Sequence, residues 1–191
     1  MKNRLNRRTK SVVAPLRTPH SALRTPQIIL GVDPSLRGTG YGVIQLATPT
    51  PATLAQGTIS CPAKWERSRC LAKILQTLRD VIREHRPTVC VIEGLFFAQN
   101  LQTALIMGEA RGAALAAIAE GGLEIYELAP RKVKQAIVGY GAAQKIAVAK
   151  MVQRMLNLAE LPAPDAADAL ALALTHAQVN GRFGLTAPKR I

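Results

Sequence analysis

The sequence predicts an α/β fold in which a mixed sheet is flanked by helices, and two observations lead to that prediction. The first is a pair of short, almost unbroken apolar runs, 27–33 (QIILGVD) and 88–93 (TVCVIE), each ending in a carboxylate. Runs of this length are typical of strands buried on both faces of a sheet. The second is the recurrence of apolar residues at helical spacing between and after these runs. Together they predict layers of helices packed on a central sheet.

The first half of the ordered chain is predicted to hold three strands and a helix. Residues 34–40 follow the first apolar run and are rich in proline and glycine, which favours a loop. The segments 41–46 and 53–60 are predicted to be strands that form an antiparallel meander with the first one. Apolar residues recur every three or four positions across 64–84, which predicts an amphipathic helix.

The second half is predicted to be mainly helical after the second apolar strand. A long helix is expected at 98–120, where Gly108 and Gly112 lie four residues apart and share a face. Small residues on that face would allow another helix to come close, including one across a dimer interface. The remaining elements are a strand and two helices, at 123–128, 143–158 and 165–180.

The net charge of +13 is unevenly distributed along the chain. Residues 1–26 carry seven basic residues and no acid, and three prolines interrupt them, so this segment is expected to be a disordered basic extension. It is interpreted as a nonspecific DNA-binding tail, as the product of a start codon assigned too early or, least favoured, as an organelle transit peptide. A chain this basic suits a polyanionic partner such as nucleic acid.

The 191 residues suffice for one domain with a substantial core. We expect the basic extension at 1–26, one domain at 27–182 and a C-terminal tail at 183–191. No apolar run reaches the roughly 18 residues of a membrane span, and no signal peptide is predicted. The cysteines are odd in number and widely spaced, which predicts reduced thiols in a cytoplasmic protein; they are Cys61, Cys70 and Cys90.

Four acidic residues occupy the ends of predicted elements. Asp33 and Glu93 end the two apolar strands, and the carboxyl ends of neighbouring central strands share one edge of a sheet. Asp165 and Asp168 are three residues apart at the start of the last helix, so they share a face. Four carboxylates packed together would repel one another unless a cation lies between them. Mg²⁺ prefers oxygen ligands, and two such ions about 4 Å apart can promote phosphodiester hydrolysis.

Each acid taken singly also has a simpler interpretation. Asp33 could cap the turn that follows it, Asp165 is a common residue at a helix start, and Asp168 could be a solvated charge. Glu93 is harder to explain in this way, because it ends a hydrophobic run and is followed by more apolar residues. The acids therefore support a metal site mainly as a set.

Five segments in this order and spacing carry a family resemblance. They are GVDPSLRGTGYG (31–42), VIEGLFFAQN (91–100), GEARG (108–112), VKQAIVGYG (133–141) and DAADALALALTH (165–176). From residue 27 to about 180 the chain resembles the RuvC family of Holliday junction resolvases. The resemblance implies a ribonuclease H-like mixed five-stranded sheet flanked by helices, which would form the domain at 27–182.

The resemblance also implies roles for individual residues. Phe96 matches an aromatic residue that stacks on an unpaired base at the junction centre, and Lys134 and Lys145 match basic residues near the cleaved strand. Ser35 departs from the family, in which glycine usually follows Asp-Pro. Four acids match the residues that are both catalytic and metal-binding: Asp33, Glu93, Asp165 and Asp168.

The function implied by the resemblance is that of a Mg²⁺-dependent endonuclease that resolves Holliday junctions by paired symmetric nicks during homologous recombination and DNA repair. Each subunit of a homodimer would present one acid cluster to one strand and leave 5′-phosphate and 3′-hydroxyl ends. About two Mg²⁺ per active site are expected, with Mn²⁺ as a substitute. The RuvA and RuvB branch-migration proteins are the implied partners.

Three other functions are weighed against this one. Another ribonuclease H-like nuclease would act on RNA–DNA hybrids or other branched nucleic acids. An actin-like phosphotransferase would use the glycine-rich segment after Asp33, but it needs a second nucleotide-binding domain, for which the chain has no room. A non-enzymatic DNA-binding protein has no use for four clustered acids, which would repel its ligand.

Two further expectations concern residues beside these motifs. Phe96 is expected to face DNA, while Phe97 or Leu95 packs inward. His176 lies eight residues beyond Asp168, about 12 Å further along the helix axis, which is too far to share a metal ion. It is therefore interpreted as a structural residue.

Overall fold

A six-stranded mixed sheet lies at the centre of the computed structural model, which describes residues 27–94, 100–181 and 189–191. Its strands are β1 (Ile28–Asp33), β2 (Gly38–Gln45), β3 (Ala52–Ser60), β4 (Val89–Glu93), β5 (Glu124–Leu128) and β6 (Lys189–Arg190). Their order in the sheet is β3-β2-β1-β4-β5-β6. Strand β2 pairs antiparallel with both β1 and β3, whereas β4 pairs parallel with both β1 and β5.

Five helices cover the two faces of this sheet in the described part of the chain. They are α1 (Arg67–His85), α2 (Leu101–Glu120), α3 (Pro130–Val138), α4 (Lys145–Met155) and α5 (Pro164–Gly181). The α/β architecture with an antiparallel meander is thus confirmed. Every predicted element that has a counterpart here begins and ends within three residues of its expected bounds.

The alternation of side chains along the strands divides the core into two layers. Leu30 and Val32 of β1 point into one apolar cluster with residues of α1 and α2. Ile29 of β1, with Val89 and Val91 of β4, points into the other, with residues of α3, α4 and α5. Both faces of the central strands are therefore buried, as continuous apolar runs predict.

Three features of the fold differ from the expectations. The sheet has six strands instead of five, because Lys189 and Arg190 pair with β5; two exposed basic residues carry no strand pattern in the sequence. Strand β2 begins at Gly38, within the segment expected to be a loop. Helix α3 was not predicted, although Pro130 at its start and Gly139, with φ +94° after its end, are common boundary residues.

The remaining expectations concern the cysteines, membrane-spanning helices and the N-terminal extension. All three cysteines are buried free thiols. Among the residues that the structure describes, no helix has the length and apolarity needed to cross a membrane. The extension at 1–26 lies outside the described residues.

Candidate active site

The carboxyl ends of β1 and β4 bring two acidic side chains together. The two strands are parallel neighbours, and Val32 pairs with Ile92 immediately before Asp33 and Glu93. Val32 and Ile92 point toward α1 and α2, so the next residue on each strand points to the opposite face. There the carboxyl groups of Asp33 and Glu93 form a side-chain hydrogen bond.

The start of α5 is pressed against this part of the sheet. A Cβ atom added at Gly40 would lie 1.9 Å from the carbonyl oxygen of Asp165, and one added at Gly31 would lie 1.9 Å from that of Ala169. A Cβ at Gly38 would lie 2.9 Å from a carboxylate oxygen of Asp165. These glycines of β1 and β2 therefore allow a helix backbone to rest directly on the sheet, which places the acids of α5 beside those of β1 and β4.

The protonation of the strand acids reflects this crowding. Burial, followed by the charge and hydrogen bond of Asp33 and the charge of Asp168, raises the pKa of Glu93 to about 8. Burial likewise raises the pKa of Asp33, although the Glu93 carboxyl donates to it and favours its ionised form. The charges of Asp168 and Asp165 add to the rise, and that of Lys145 opposes it. At neutral pH the Asp33–Glu93 pair therefore holds a proton.

Lys145 supplies a positive charge to the cluster. It is the first residue of α4, and its Nζ donates a hydrogen bond to Oδ2 of Asp168 at 2.7 Å. This hydrogen bond is the main reason that the pKa of Lys145 is raised, and the charges of Asp33 and Glu93 add to it. The lysine side chain is 69% exposed and that of Asp168 is 22% exposed. An ion pair this open contributes little to stability, so Lys145 can leave it at small cost.

The structure does not place the other residues named from the sequence in the acid cluster. Lys134 lies half-buried on α3, and its charge is not among those that act on Asp33 or Glu93. Phe96 lies outside the described residues, as do Leu95 and Phe97. His176 is buried, with its ring centroid 4.7 Å from that of Tyr126, which agrees with its interpretation as structural.

Two residues near the site were missed by the sequence reasoning. Arg111 of α2 pairs with Glu127 of β5 and also donates a hydrogen bond from Nε to the backbone carbonyl oxygen of Glu93 at 3.4 Å. Arg111 lies in the segment GEARG, which belongs to the family resemblance but carries no implied role for its arginine. The sequence also offered a signal for Glu127, because it is an acid in a strand that is otherwise partly apolar.

The donor chemistry of the cluster fits a hard divalent cation. All four acids supply oxygen, which Mg²⁺ and similar ions prefer, and the electrostatic strain between them would be relieved by positive charge. In the arrangement observed, no three His, Cys, Asp or Glu side chains of the described ranges are placed to hold one ion. The proton on the Asp33–Glu93 pair and the ammonium of Lys145 instead offset part of the negative charge.

Sequence comparison shows what the chain is similar to. The family described as "Crossover junction endodeoxyribonuclease RuvC" matches residues 29–176. A protein of that name from Chromohalobacter salexigens is 46% identical over 150 residues, which cover 78% of this chain and 80% of the relative. Another from Bordetella parapertussis is 46% identical over 151 residues, covering 79% and 83%.

A solved structure shows the same arrangement of elements. It is described as Thermus thermophilus RuvC in complex with Holliday junction substrate, and it matches with a TM-score of 0.78 at 32% identity. The match covers 86% of this chain and 99% of the other. The likeness shows that the sheet and its helical layers form a ribonuclease H-like fold.

Proposed function

This chain belongs to the RuvC family of crossover junction endodeoxyribonucleases, and on that premise we propose how it resolves Holliday junctions. It hydrolyses one phosphodiester in each of two strands, which serves homologous recombination and DNA repair. The observation that supports this most strongly is the half-buried Asp33–Glu93 pair beside the start of α5. A net charge of +13 provides attraction for DNA despite the acid cluster.

The activity depends on a divalent metal ion, as in the family generally. We propose that the ion is Mg²⁺, two per site, with Mn²⁺ as a substitute, and that four acids hold it: Asp33, Glu93, Asp165 and Asp168. When bound there, such ions supply an activated water and stabilise the leaving oxygen. Loading requires the loss of the proton on the Asp33–Glu93 pair. It also requires the carboxylates to rearrange, since no three of them in the described ranges are placed to hold one ion.

The protein's own residues then bind and orient the substrate strand. Asp33 and Glu93 directly follow the last pair between β1 and β4, and each pairs on its other side, Asp33 with Gly40 and Glu93 with Leu128. Their backbone geometry is therefore set before DNA arrives. Lys145, released from Asp168, is free to bind a phosphate near the cleaved bond, and Lys134 is proposed as a second phosphate contact. Phe96 is proposed to stack on an unpaired base at the junction centre, an interaction worth about 1–3 kcal/mol.

Paired nicks require two sites, and we propose a homodimer that forms through one face of α2. A Cβ atom added at Gly108 or Gly112 would meet nothing within 4 Å. On the same face, Leu101 and Leu105 are 77% and 57% exposed. This combination of small and exposed apolar residues supports helix packing across a two-fold axis. The RuvA and RuvB proteins are proposed as further partners and the cytoplasm as the location, since the relatives are bacterial.

A cleavage assay with several substrates tests the proposed function. A four-way junction, a nicked duplex and an RNA–DNA hybrid are incubated in parallel, with and without Mg²⁺. We expect symmetric, ligatable nicks in the junction alone, and only with metal. Preferential cleavage of the hybrid would instead identify a different ribonuclease H-like nuclease.

The affinity for Mg²⁺ should depend on pH, because metal must displace a proton from the strand acids. The pKa of Glu93 is raised to about 8 in the metal-free site, so below pH 8 its proton competes with the ion. Affinity should therefore rise as pH increases from 6 to about 8 and then level off. Titration calorimetry in buffers of different ionisation enthalpy should show up to about one proton released per site. A pH-independent affinity would contradict this account of the pair.

Deletion of residues 1–26 should weaken DNA binding and reduce its salt dependence. The segment carries seven basic residues, and each phosphate contact contributes about 0.9 to the slope of log affinity against log salt. If all seven touch phosphates, the slope should fall by about 6. Binding of a junction is measured at several salt concentrations for the full and shortened chains. An unchanged slope would leave the segment without a role in DNA binding.

A further inference from the structure

We propose that Arg111 and Glu127 are positioning residues that hold the metal-binding end of β4 from the face of the sheet opposite the acids. The inference rests on the proposed role of Glu93 as a metal ligand. Neither residue points into the acid cluster. They act through the backbone of Glu93, whose carbonyl oxygen accepts a hydrogen bond from Nε of Arg111 at 3.4 Å.

The strand register explains why this contact comes from the opposite side. Glu127 of β5 pairs with Ile92 of β4, and Ile92 belongs to the core cluster beneath α1 and α2. The side chain of Glu127 therefore points toward α2 while that of Glu93 points toward α5. Arg111 lies on α2, and its hydrogen bonds to the Glu127 carboxylate and the Glu93 carbonyl show that its guanidinium lies over the ends of both strands.

The Arg111–Glu127 ion pair is the most buried arginine pair among the described residues. The two side chains are 13% and 19% exposed, whereas those of the Arg79–Glu120 pair, which joins α1 and α2, are 46% and 51% exposed. A buried pair keeps its geometry because removal of one partner leaves an uncompensated charge. The planar guanidinium can bind a carboxylate and a carbonyl at once in fixed directions, which a lysine cannot.

The contact matters because it lies where the pairing of β4 with β1 ends. The last pair between β1 and β4 is Val32 with Ile92, so Glu93 lies one residue beyond it on that side. On the other side, the Gly94 amide donates to the Leu128 carbonyl at 2.9 Å. The hydrogen bond from Arg111 to the Glu93 carbonyl is a third interaction that restrains this end of the strand. A ligand must be held to within about 0.5 Å for metal binding, so loosening this end should weaken the ion's site.

The test uses the full-length protein and four variants. Arg111→Gln removes the guanidinium, Arg111→Lys keeps the charge but not the fork, and Glu127→Gln removes the anchoring charge while leaving Arg111 in place. Arg79→Gln is the matched control, because it breaks an exposed pair between α1 and α2. Three quantities are measured for each: Mg²⁺ affinity by titration calorimetry without DNA, junction binding without metal, and the single-turnover cleavage rate as a function of Mg²⁺ concentration.

We expect Arg111→Gln to weaken Mg²⁺ binding about 10- to 100-fold, the range seen when residues that orient metal ligands are changed. The Mg²⁺ midpoint for cleavage should rise by the same factor, with partial recovery at high Mg²⁺, while metal-free junction binding stays unchanged. Arg111→Lys should recover part of the loss, Glu127→Gln should shift in the same direction, and Arg79→Gln should match the unaltered protein.

Folded Arg111→Gln protein with unaltered Mg²⁺ affinity would overturn the inference, as would a lower melting temperature as its sole effect. If Arg111→Gln does not fold, Glu127→Gln decides by the same measurements. Failure of the unaltered protein to cut a junction would count against the proposed function, whereas cutting with equal Mg²⁺ affinities across the variants would count against this inference alone.

Discussion

Replacement of Asp33 by Asn should reduce junction cleavage about a thousandfold, which corresponds to roughly 4 kcal/mol of lost transition-state stabilisation. The amide has the size of the carboxyl but loses the charge that a divalent cation requires. Junction binding should be retained, because Asp33 repels DNA in the metal-free protein and contacts none of it in the proposed complex. Gel-shift and cleavage assays on one synthetic four-way junction measure the two effects separately.

The same variant should fold at least as well as the unaltered protein. Burial raises the pKa of Asp33, so its ionised form destabilises the metal-free fold above the pKa of the unfolded chain. An uncharged amide removes that cost, and the melting temperature at pH 7 without metal should stay the same or rise. Asp80→Asn is the control, because Asp80 is an exposed acid paired with Arg83 on α1. Full cutting by Asp33→Asn would remove Asp33 from the chemistry.

Replacement of Gly40 by Ala should destabilise the fold and disable the site together. The new Cβ would lie 1.9 Å from the carbonyl oxygen of Asp165, and a backbone atom in a packed helix cannot move aside as a side chain can. Overpacking of this kind costs about 3 kcal/mol or more. Because α5 must shift to relieve the contact, Asp165 and Asp168 move with it. Denaturant unfolding and cleavage should both show the loss.

Gly57→Ala provides a matched control on the neighbouring strand. Its Cβ would meet the side chain of Tyr41 at 2.8 Å, and a half-buried ring can rotate away. We expect a stability change below about 1 kcal/mol and normal cleavage. Equal effects of Gly40→Ala and Gly57→Ala would show that the close packing of α5 does not position the acids.

The sequence predicted five of the six strands and their succession along the chain, because apolar runs such as 27–33 leave few alternatives. Two residues show why the rest was harder. Glycine usually interrupts strands, so the sequence favours a loop at Gly38. Its use as a site of close helix approach depends on α5, more than 120 residues later. Lys189 carries no strand pattern, and it joins the sheet only because β5 offers an open edge.

The sequence predicted which acids lie close together better than it predicted the contacts that other residues make with them. The positions of Asp33 and Glu93 at strand ends were readable from hydrophobicity, so their proximity followed from topology. Two contacts could not be predicted from the sequence: the ion pair of Lys145 with Asp168 and the hydrogen bond from Arg111 to the Glu93 carbonyl. Each joins elements that are distant in sequence. Contacts of that kind depend on packing, which a local pattern does not encode.

Diffraction from crystals soaked in Mn²⁺ tests the central claim most directly, because anomalous scattering locates the ion independently of any assumed ligand. We predict a strong peak bonded to carboxylate oxygens of Asp33 and Glu93, and a second about 4 Å away beside Asp165 and Asp168. Lys145 should have left Asp168 in the same crystals. Peaks elsewhere, with the Asp33–Glu93 hydrogen bond and the Lys145–Asp168 pair intact, would contradict the claim that these acids form the metal site.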